Sequence, residues 1–261
     1  MRIRESSRVV AGCHALLMDL TKPGVTTGYL DKQIDTYIRD QGGVPSFLGY
    51  HGFPASTCIS INEEVVHGIP GERVIQEGDL VGFDVGVFKD GYHGDAAISF
   101  SVGPASEDVD LLLRVTEESL KKGIAAFQVG NRLGDIGYAV QSHAEKHGLG
   151  VVRTLVGHGI GQKMHEEPQV PNYGKPGTGM KLEAGLVFAI EPMLTFGHFD
   201  VKTLSDNWTI VTKDGSLSAH FEHTVVLTAS GPEILSVLDG VKVQRAKEAS
   251  HESQSKRQTH L

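Results

Sequence analysis

The chain has 261 residues, 39% of them hydrophobic and 21% charged, an ordinary composition for a globular protein with a substantial core. A net charge of −8 argues against nucleic acid as the main ligand, and no apolar run approaches the roughly 18 residues of a membrane span. Two cysteines without a CxxC pair exclude a cysteine-based zinc site, and no signal peptide is recognisable, so we expect a soluble cytoplasmic protein.

The first part of the chain predicts two helices followed by strands. Apolar residues recur with a helical period from Val9 to Leu20, and a second apolar face runs from about Thr27 to the glycine pair at 42–43. Between residues 44 and 102, short strand-like runs alternate with turn residues. We interpret this part as one α/β unit.

The second part of the chain repeats that order. Helical patterns occupy about 106–127 and 133–147, and strands alternate with loops from there to about residue 229. Residues 241–261 are polar and include several lysines and arginines, so we predict a disordered or frayed tail there. The preceding residues, 1–240, are expected to form a single domain.

The two parts look like an internal duplication, over about 5–103 and 106–229. With an offset of 106, Gly24, Gly28, Leu30, Ile34, Ile38 and Gly42 match Gly130, Gly134, Ile136, Val140, Ala144 and Gly148. With an offset of 107, the segment 78–84 matches 185–191, and each segment ends in an acid. Coincidence is the alternative, because glycine is common in this chain, but the shared order and spacing favour duplication. Two halves would then supply acids to one pseudo-symmetric site.

A β-hairpin with two aspartates is predicted around the Asp-Gly dipeptide at 90–91, a strong signal for a two-residue turn. In that register Asp95 pairs with Gly86 and Asp84 pairs with Ala97, so all four lie on one face. The aspartates are then diagonal neighbours whose carboxylates could bind metal ions about 3.5–4 Å apart. A pair of solvent-facing acids is the alternative, and one bulged residue would break the register.

Further acids and histidines complete a candidate metal-binding set. Glu191 ends one apolar strand and Glu222 lies within another, where an acid is costly unless it is paired or bound to metal. A buried ion pair is the alternative, although neither segment has a basic residue immediately nearby. The stretch 157–168 holds His158 and His165 among glycines and acids. Carboxylates plus imidazole are the ligands of a hydrolytic two-metal centre.

A set of short motifs carries a family resemblance. They are Gly49-Tyr50-His51-Gly52, Asn62-Glu63 with His67-Gly68-Ile69-Pro70, Asp84 and Asp95, Gly157-His158-Gly159-Ile160-Gly161, His165-Glu166-Glu167-Pro168, Glu191-Pro192-Met193 and Phe221-Glu222-His223-Thr224. With these motifs the chain resembles type I methionine aminopeptidases, metallopeptidases of the pita-bread fold, over about residues 5–235. Proline-specific peptidases and creatinase-like enzymes share that fold, but Phe-Glu-His-Thr favours the methionine branch.

The resemblance implies an α/β (α+β) pita-bread fold, in which two pseudo-symmetric α/β halves form an antiparallel sheet around a central dinuclear metal site. It implies two divalent ions per chain, drawn from Co, Mn, Fe(II) or Zn. The implied metal ligands are Asp84, Asp95, His158, Glu191 and Glu222. Asp95 and Glu222 are expected to bridge both ions, Asp84 to complete one site, and His158 with Glu191 to complete the other.

The resemblance also implies the reaction. Such enzymes remove the initiator methionine from nascent proteins and peptides, preferentially before a small second residue, by attack of a metal-activated water on the peptide bond. The expected partners are polypeptides beginning with Met, with the ribosome nearby, and the expected state is a monomer. The implied catalytic residues are His67 (scissile nitrogen), His165 (oxyanion) and Glu191 (proton shuttle). The implied substrate-binding residues are His67, His165, Tyr50, Phe53, Cys58, Met164, Met193, Trp208 and His220.

The chain departs from the family pattern in its methionine pocket. Phe53 stands where tyrosine is common, Met164 where phenylalanine is usual, and His220 where glutamine is typical. No implied metal ligand is affected, so the departures bear on side-chain preference. Two other functions stay open at this point: a proline-directed peptidase, and an inactive relative of this fold that serves as a binding module.

Overall fold

The computed structural model describes residues 2–237, and its helices agree with the predicted ones. They are α1 (Ile3–Leu20), α2 (Thr27–Asp40), α3 (Glu107–Ala126) and α4 (Leu133–Lys146). The side chains of Thr26 and Ser106 each accept a backbone hydrogen bond and cap the starts of α2 and α3. None of the described helices is long and apolar enough to cross a membrane. The predicted tail, 241–261, and the end of the predicted domain lie outside the described residues.

The described strands pair antiparallel throughout. They are β1 (Val44–Pro45), β2 (Cys58–Ile61), β3 (Glu64–Val66), β4 (Leu80–Lys89), β5 (Tyr92–Ser101), β6 (Gly150–Val151), β7 (Gly157–Gly159), β8 (Glu166–Val170), β9 (Val187–Ile190), β10 (Met193–Thr195), β11 (Val201–Thr203), β12 (Ile210–Thr212), β13 (Ser218–His220), β14 (His223–Thr228) and β15 (Gly231–Ile234). In the first half, β1, β4 and β2 lie side by side and β5 also pairs with β4. In the second half the largest sheet has the order β15-β14-β9-β7-β8.

The two halves share a backbone pattern at the entry to their second helices. Gly24 donates its N–H to the carbonyl of Ile75 at 2.9 Å, and Gly130 donates to that of Leu182 at 3.0 Å. Both glycines have a φ of 93°, a left-handed conformation that L side chains rarely adopt. The offset seen in the sequence therefore corresponds to equivalent backbone positions.

Each half buries its own apolar core. In the first half α1 and α2 pack on β4, with Leu17, Ile34 and Phe83 fully buried. In the second half α3 and α4 cover β9 and β14, and the rings of Phe127 and Phe188 stack 4.7 Å apart. Burying a side chain of this size stabilises the fold by about 1.5–3 kcal/mol, so each half has a rigid support for its strands.

The hairpin of β4 and β5 has the predicted register. Asp84 pairs with Ala97 and Asp95 pairs with Gly86 along an uninterrupted ladder of ten residue pairs. The turn residues at 90–91 have φ values of 52° and 85°, as a type I′ turn requires. The two aspartates therefore lie on the same face, diagonally across the hairpin.

The second half contains a ladder that is interrupted in the middle. β9 pairs with β14 and β10 pairs with β13 in one continuous register, so Glu191 lies opposite Glu222 at the gap between them. The prediction that Glu222 lies inside a continuous strand is wrong, because the chain leaves the ladder at residues 221–222. Pro192 explains part of the break, since it accepts a bond from Phe221 at 3.3 Å but has no N–H to return.

The halves meet at a seam between β5 and residues 220–224. Ala97 and Glu222 exchange two backbone hydrogen bonds across it, of 3.3 and 2.9 Å. Beside this pair, the hydroxyl of Thr224 accepts from the N–H of Asp95 at 3.0 Å and donates to its carbonyl at 2.7 Å. Glu222 lies outside the ladder of its own half, and its backbone groups instead join the two halves.

A second hydroxyl bridges the other side of the seam. The Oγ of Ser99 accepts from the N–H of His220 at 3.0 Å and donates to the carbonyl of the same residue at 2.8 Å. Ser99 lies on β5 and His220 ends β13, so this bridge mirrors the one made by Thr224 in the opposite direction. The two bridges satisfy buried backbone groups where the strands do not form a regular ladder.

Candidate metal centre

Three of the five predicted metal ligands form a compact buried group. Asp95, His158 and Glu222 each offer one ligand atom, and these atoms lie within 4.8 Å of one another. Asp95 comes from β5 of the first half, whereas His158 lies on β7 and Glu222 at the seam. Each of the three is less than 10% exposed to solvent. The site therefore lies between the halves, as the sequence predicted.

Asp84 and Glu191 lie around this group. The Oε1 of Glu191 is 3.6 Å from the Nε2 of His158, and the Asp84 carboxyl lies against that of Asp95. Asp84 pairs with Ala97, Ala97 bonds to Glu222, and Glu222 lies opposite Glu191, so these residues follow one another from β4 across β5 to the break in the second ladder. All five predicted ligands are therefore brought to one place.

Burial makes this group of acids electrostatically unfavourable without cations. Burial raises the pKa of Asp84 to about 7. Burial and the surrounding carboxylates raise the pKa values of Asp95, Glu191 and Glu222 well above their usual range. Among residues 2–237, no Lys or Arg forms a salt bridge with any of the four acids. The alternative of a buried ion pair with a basic side chain is excluded for this part of the chain.

His158 presents a neutral nitrogen to the acids. Its Nδ1 is 2.9 Å from the carbonyl oxygen of Gly159 and must donate to it, which leaves the lone pair on Nε2. Burial, together with the nearby His165, lowers the pKa of His158 to about 4. A neutral imidazole held by its second nitrogen is the arrangement found in metal-binding histidines.

The free oxygen atoms fit a divalent cation. Within the described chain, Oδ1 of Asp84, Oδ1 of Asp95 and Oε1 of Glu222 are buried and have no hydrogen-bond partner. Buried polar atoms normally have partners, so three orphaned carboxylate oxygens in one place require an explanation. Carboxylate and imidazole ligands suit Mn, Fe, Co and Zn, and a bound cation would satisfy all three atoms.

An apolar cluster adjoins the acids. Its buried side chains include the predicted Phe53, Cys58 and Met164, with the predicted Tyr50 and Trp208 packed against them. Phe47, Ala55 and Ile69 belong to the same cluster and were not predicted. Cys58 pairs across the sheet with Asp84, so the pocket wall and the metal centre share two neighbouring strands. Met193, another predicted pocket residue, is fully buried in a different cluster and pairs with His220 across β10 and β13.

The two predicted catalytic histidines lie near different residues of this cluster. The ring of His165 is 4.2 Å from that of His158, and its Nδ1 is 2.7 Å from the hydroxyl of Tyr50. His67 lies 6.4 Å from the ring of Trp208. Burial, with a contribution from His165, lowers the pKa of His67 to about 4, so this imidazole is neutral at physiological pH.

A cavity of about 690 Å³ opens beside His158 and His165. It is lined by Val156, Gly157, His158, Lys163, His165, Glu166, Glu167 and Gln169. Its size is suitable for a small peptide segment.

The sequence missed three residues that support the site. The buried Asn172 donates its amide to the carbonyl of Glu191 at 3.0 Å, and Thr224 and Ser99 form the seam. Each contact joins residues far apart along the chain. No local spacing could have indicated them.

The comparisons with known proteins agree with this arrangement. Residues 1–229 match the model of metallopeptidase family M24. A methionine aminopeptidase from Clostridium acetobutylicum is 50% identical over 238 residues, which cover 91% of this chain and 95% of that protein. The chain belongs to the methionine aminopeptidases of this family. It therefore uses divalent metal, and Asp95, His158 and Glu222 form a group that could hold such an ion.

Solved structures extend the likeness to the fold. The crystal structure of methionine aminopeptidase from Rickettsia prowazekii has a TM-score of 0.89 at 42% identity and covers 90% of this chain and 95% of its own. A prolidase from Pyrococcus furiosus has a TM-score of 0.73 at 19% identity, covering 93% of this chain and 63% of its own, and shares the fold alone. The predicted pita-bread fold is confirmed.

Proposed function

We propose that this methionine aminopeptidase holds two divalent ions and removes the initiator methionine from nascent proteins and peptides. The ligands are Asp84, Asp95, His158, Glu191 and Glu222. The observation that carries the proposal is the set of buried carboxylates, without basic partners in the described chain, that faces a neutral imidazole. When bound, such ions lower the pKa of a water and stabilise charge that develops on the substrate carbonyl.

Glu191 moves the proton in this proposal. Its carboxylate takes the proton of the attacking water and delivers it to the nitrogen of the leaving peptide. The carbonyl of Glu191 is fixed by Asn172, and its Oε1 lies 3.6 Å from His158, so the group is held at the edge of the acid cluster. Burial raises its pKa, which favours a group that must both accept and release a proton.

The two histidines bind the reacting peptide bond. The hydroxyl of Tyr50 lies 2.7 Å from Nδ1 of His165. In the tautomer that serves catalysis, this hydroxyl donates to Nδ1 and the ring keeps a proton on Nε2 for donation to the developing oxyanion. His67 hydrogen-bonds near the scissile nitrogen. Both imidazoles act as neutral groups, since burial lowers the pKa of each.

The pocket of Phe53, Cys58, Met164 and Trp208 receives the methionine side chain, because an unbranched thioether fits a narrow apolar slot. A second residue must be small to pass the crowded metal centre.

We further propose that residues 1–240 form one catalytic domain, and that the protein is a monomer that works in the cytoplasm near the ribosome, where new N-termini emerge.

Metal depletion and add-back test the proposal. The metal-free protein should release no methionine from Met-Gly-Met-Met, and Mn²⁺, Fe²⁺, Co²⁺ or Zn²⁺ should restore release at a stoichiometry of two per chain by elemental analysis. Release from Xaa-Pro peptides instead would indicate a proline-directed peptidase. Binding of peptides without hydrolysis under every metal would indicate a binding module.

A further inference from the structure

His220 is held rigidly beside the acids. Ser99 bonds both its N–H and its carbonyl, at 3.0 and 2.8 Å, and its backbone pairs with Met193 on β10. The residue is 4% exposed. Ser99 and β10 therefore fix the backbone of His220 from two sides.

The ring nitrogen nearest the acids has no partner. Nε2 of His220 is buried, forms no hydrogen bond within the described residues, and lies 3.9 Å from Oε2 of Glu222. That separation is longer than a hydrogen bond of roughly 2.7–3.2 Å, so the two groups are neighbours that a change in the orientation of the carboxylate could bring into contact. Among the described residues, this is the one ion-pair contact of His220 and of Glu222.

The chemistry of the pair defines the direction of the bond. A neutral imidazole carries one N–H, and a bare lone pair on Nε2 would repel an ionised carboxylate, the form in which Glu222 would bind metal. A proton on Nε2 turns the same contact into a charge-assisted hydrogen bond. A carboxylate oxygen has two lone pairs, so Oε2 can accept this bond while Glu222 also binds a cation.

We propose that His220 is a positioning residue for Glu222, donating Nε2–H to Oε2 and fixing the orientation in which this carboxylate holds metal. The inference rests on the proposed ligand set. It adds a role for His220 that differs from lining the methionine pocket, because it acts through Glu222 on metal affinity. Partners of this kind to metal ligands are worth roughly 10–100-fold in affinity.

The test is Mn²⁺ titration of metal-free protein by isothermal titration calorimetry. His220→Leu removes the donor and should raise the Kd roughly tenfold or more, while His220→Gln retains an N–H donor and should stay within about threefold of wild type. Ser218→Ala is the matched control, since Ser218 is buried on the same face of β13 and its hydroxyl bonds to the carbonyl of Leu194. Its Kd should equal that of wild type.

Other measurements separate this role from simpler ones. The Tm of metal-free His220→Leu should stay close to that of metal-free Ser218→Ala. An unchanged Kd with a raised KM for Met-Gly-Met-Met would show that the ring only lines the pocket. A lowered metal-free Tm, with no rescue of the Kd by His220→Gln, would show a merely structural role. Either result overturns the proposal. Separately, unaltered Mn²⁺ binding by Glu222→Ala would refute the ligand set itself.

Discussion

The two halves of the molecule use the same backbone plan to present acids in different ways. In the first half, β4 and β5 form a continuous hairpin closed by two residues, and its aspartates are diagonal neighbours. In the second half, the ladder is interrupted where Glu191 and Glu222 lie directly opposite each other, and an excursion at 196–217 separates its arms. Regular pairing supplies one side of the site, and a break in pairing supplies the other.

The break in the second half also frees the backbone that joins the halves. Glu222 bonds to Ala97 across the seam instead of to its own ladder. Had the second half kept an unbroken hairpin, its acids would lie beside those of the first half without a direct link. The difference between the halves therefore creates one site from two similar parts.

The largest effect is expected from removal of Asp95, the acid that the first half contributes to the compact ligand group. Asp95→Ala should abolish binding of the paired ions and turnover together, because Asp95 belongs to the compact ligand group. Elemental analysis and peptide assays measure both. A variant that retains two metals and a normal rate would contradict the idea that both halves are needed.

The tripeptide His-Gly-Ile occurs at 67–69 in the first half and at 158–160 in the second, so its histidines allow a test of equal sequence with different roles. His67→Ala should lower turnover by roughly 10²–10⁴ and leave the metal content intact, because His67 lies beside Trp208, away from the compact ligand group. His158→Ala should instead lose metal. Equal metal loss in both variants, or full activity of His67→Ala, would contradict this division.

Substitutions at the seam should have a smaller effect, on stability, and they can be made in each half in turn. Thr224→Val and Ser99→Ala each leave buried backbone groups of the other half without a partner, so each should lower the free energy of unfolding by about 1–3 kcal/mol. Urea unfolding of metal-free protein measures it. Thr36→Val, on the exposed face of α2, is the control and should change stability by less than about 0.5 kcal/mol.

The smallest effect concerns the excursion that only the second half contains. The hydroxyl and N–H of Ser216, with the N–H of His198, lower the pKa of Asp214 to about 2. Because the pKa of Asp214 is lower in the folded state, the ionised carboxylate stabilises the fold at pH values above its unfolded-state pKa near 4. This stabilisation is lost as the pH falls toward 2. Asp214→Asn should therefore cost about 0.5 kcal/mol at pH 7. Urea unfolding should show that the cost shrinks below pH 4; a constant difference at all pH values would contradict it.

Local patterns predicted the parts of the fold that depend on nearby residues. The Asp-Gly turn and the strand pattern set the register of Asp84 and Asp95, because a two-residue loop fixes which residues of β4 and β5 lie opposite each other. The opposition of Glu191 and Glu222 could not be predicted in this way, because the excursion between β10 and β13 hides their register. The same holds for Asn172, whose contact depends on how distant loops pack.

The seam has a consequence for when the protein becomes active during its own synthesis. Ala97 and Glu222 lie far apart along the chain, and such distant contacts form only after much of the polypeptide is available. Asp84 and Asp95 are synthesised well before Glu191 and Glu222. If these acids hold metal together as proposed, metal retention should begin only after the segments that carry Glu191 and Glu222 have docked on the first half.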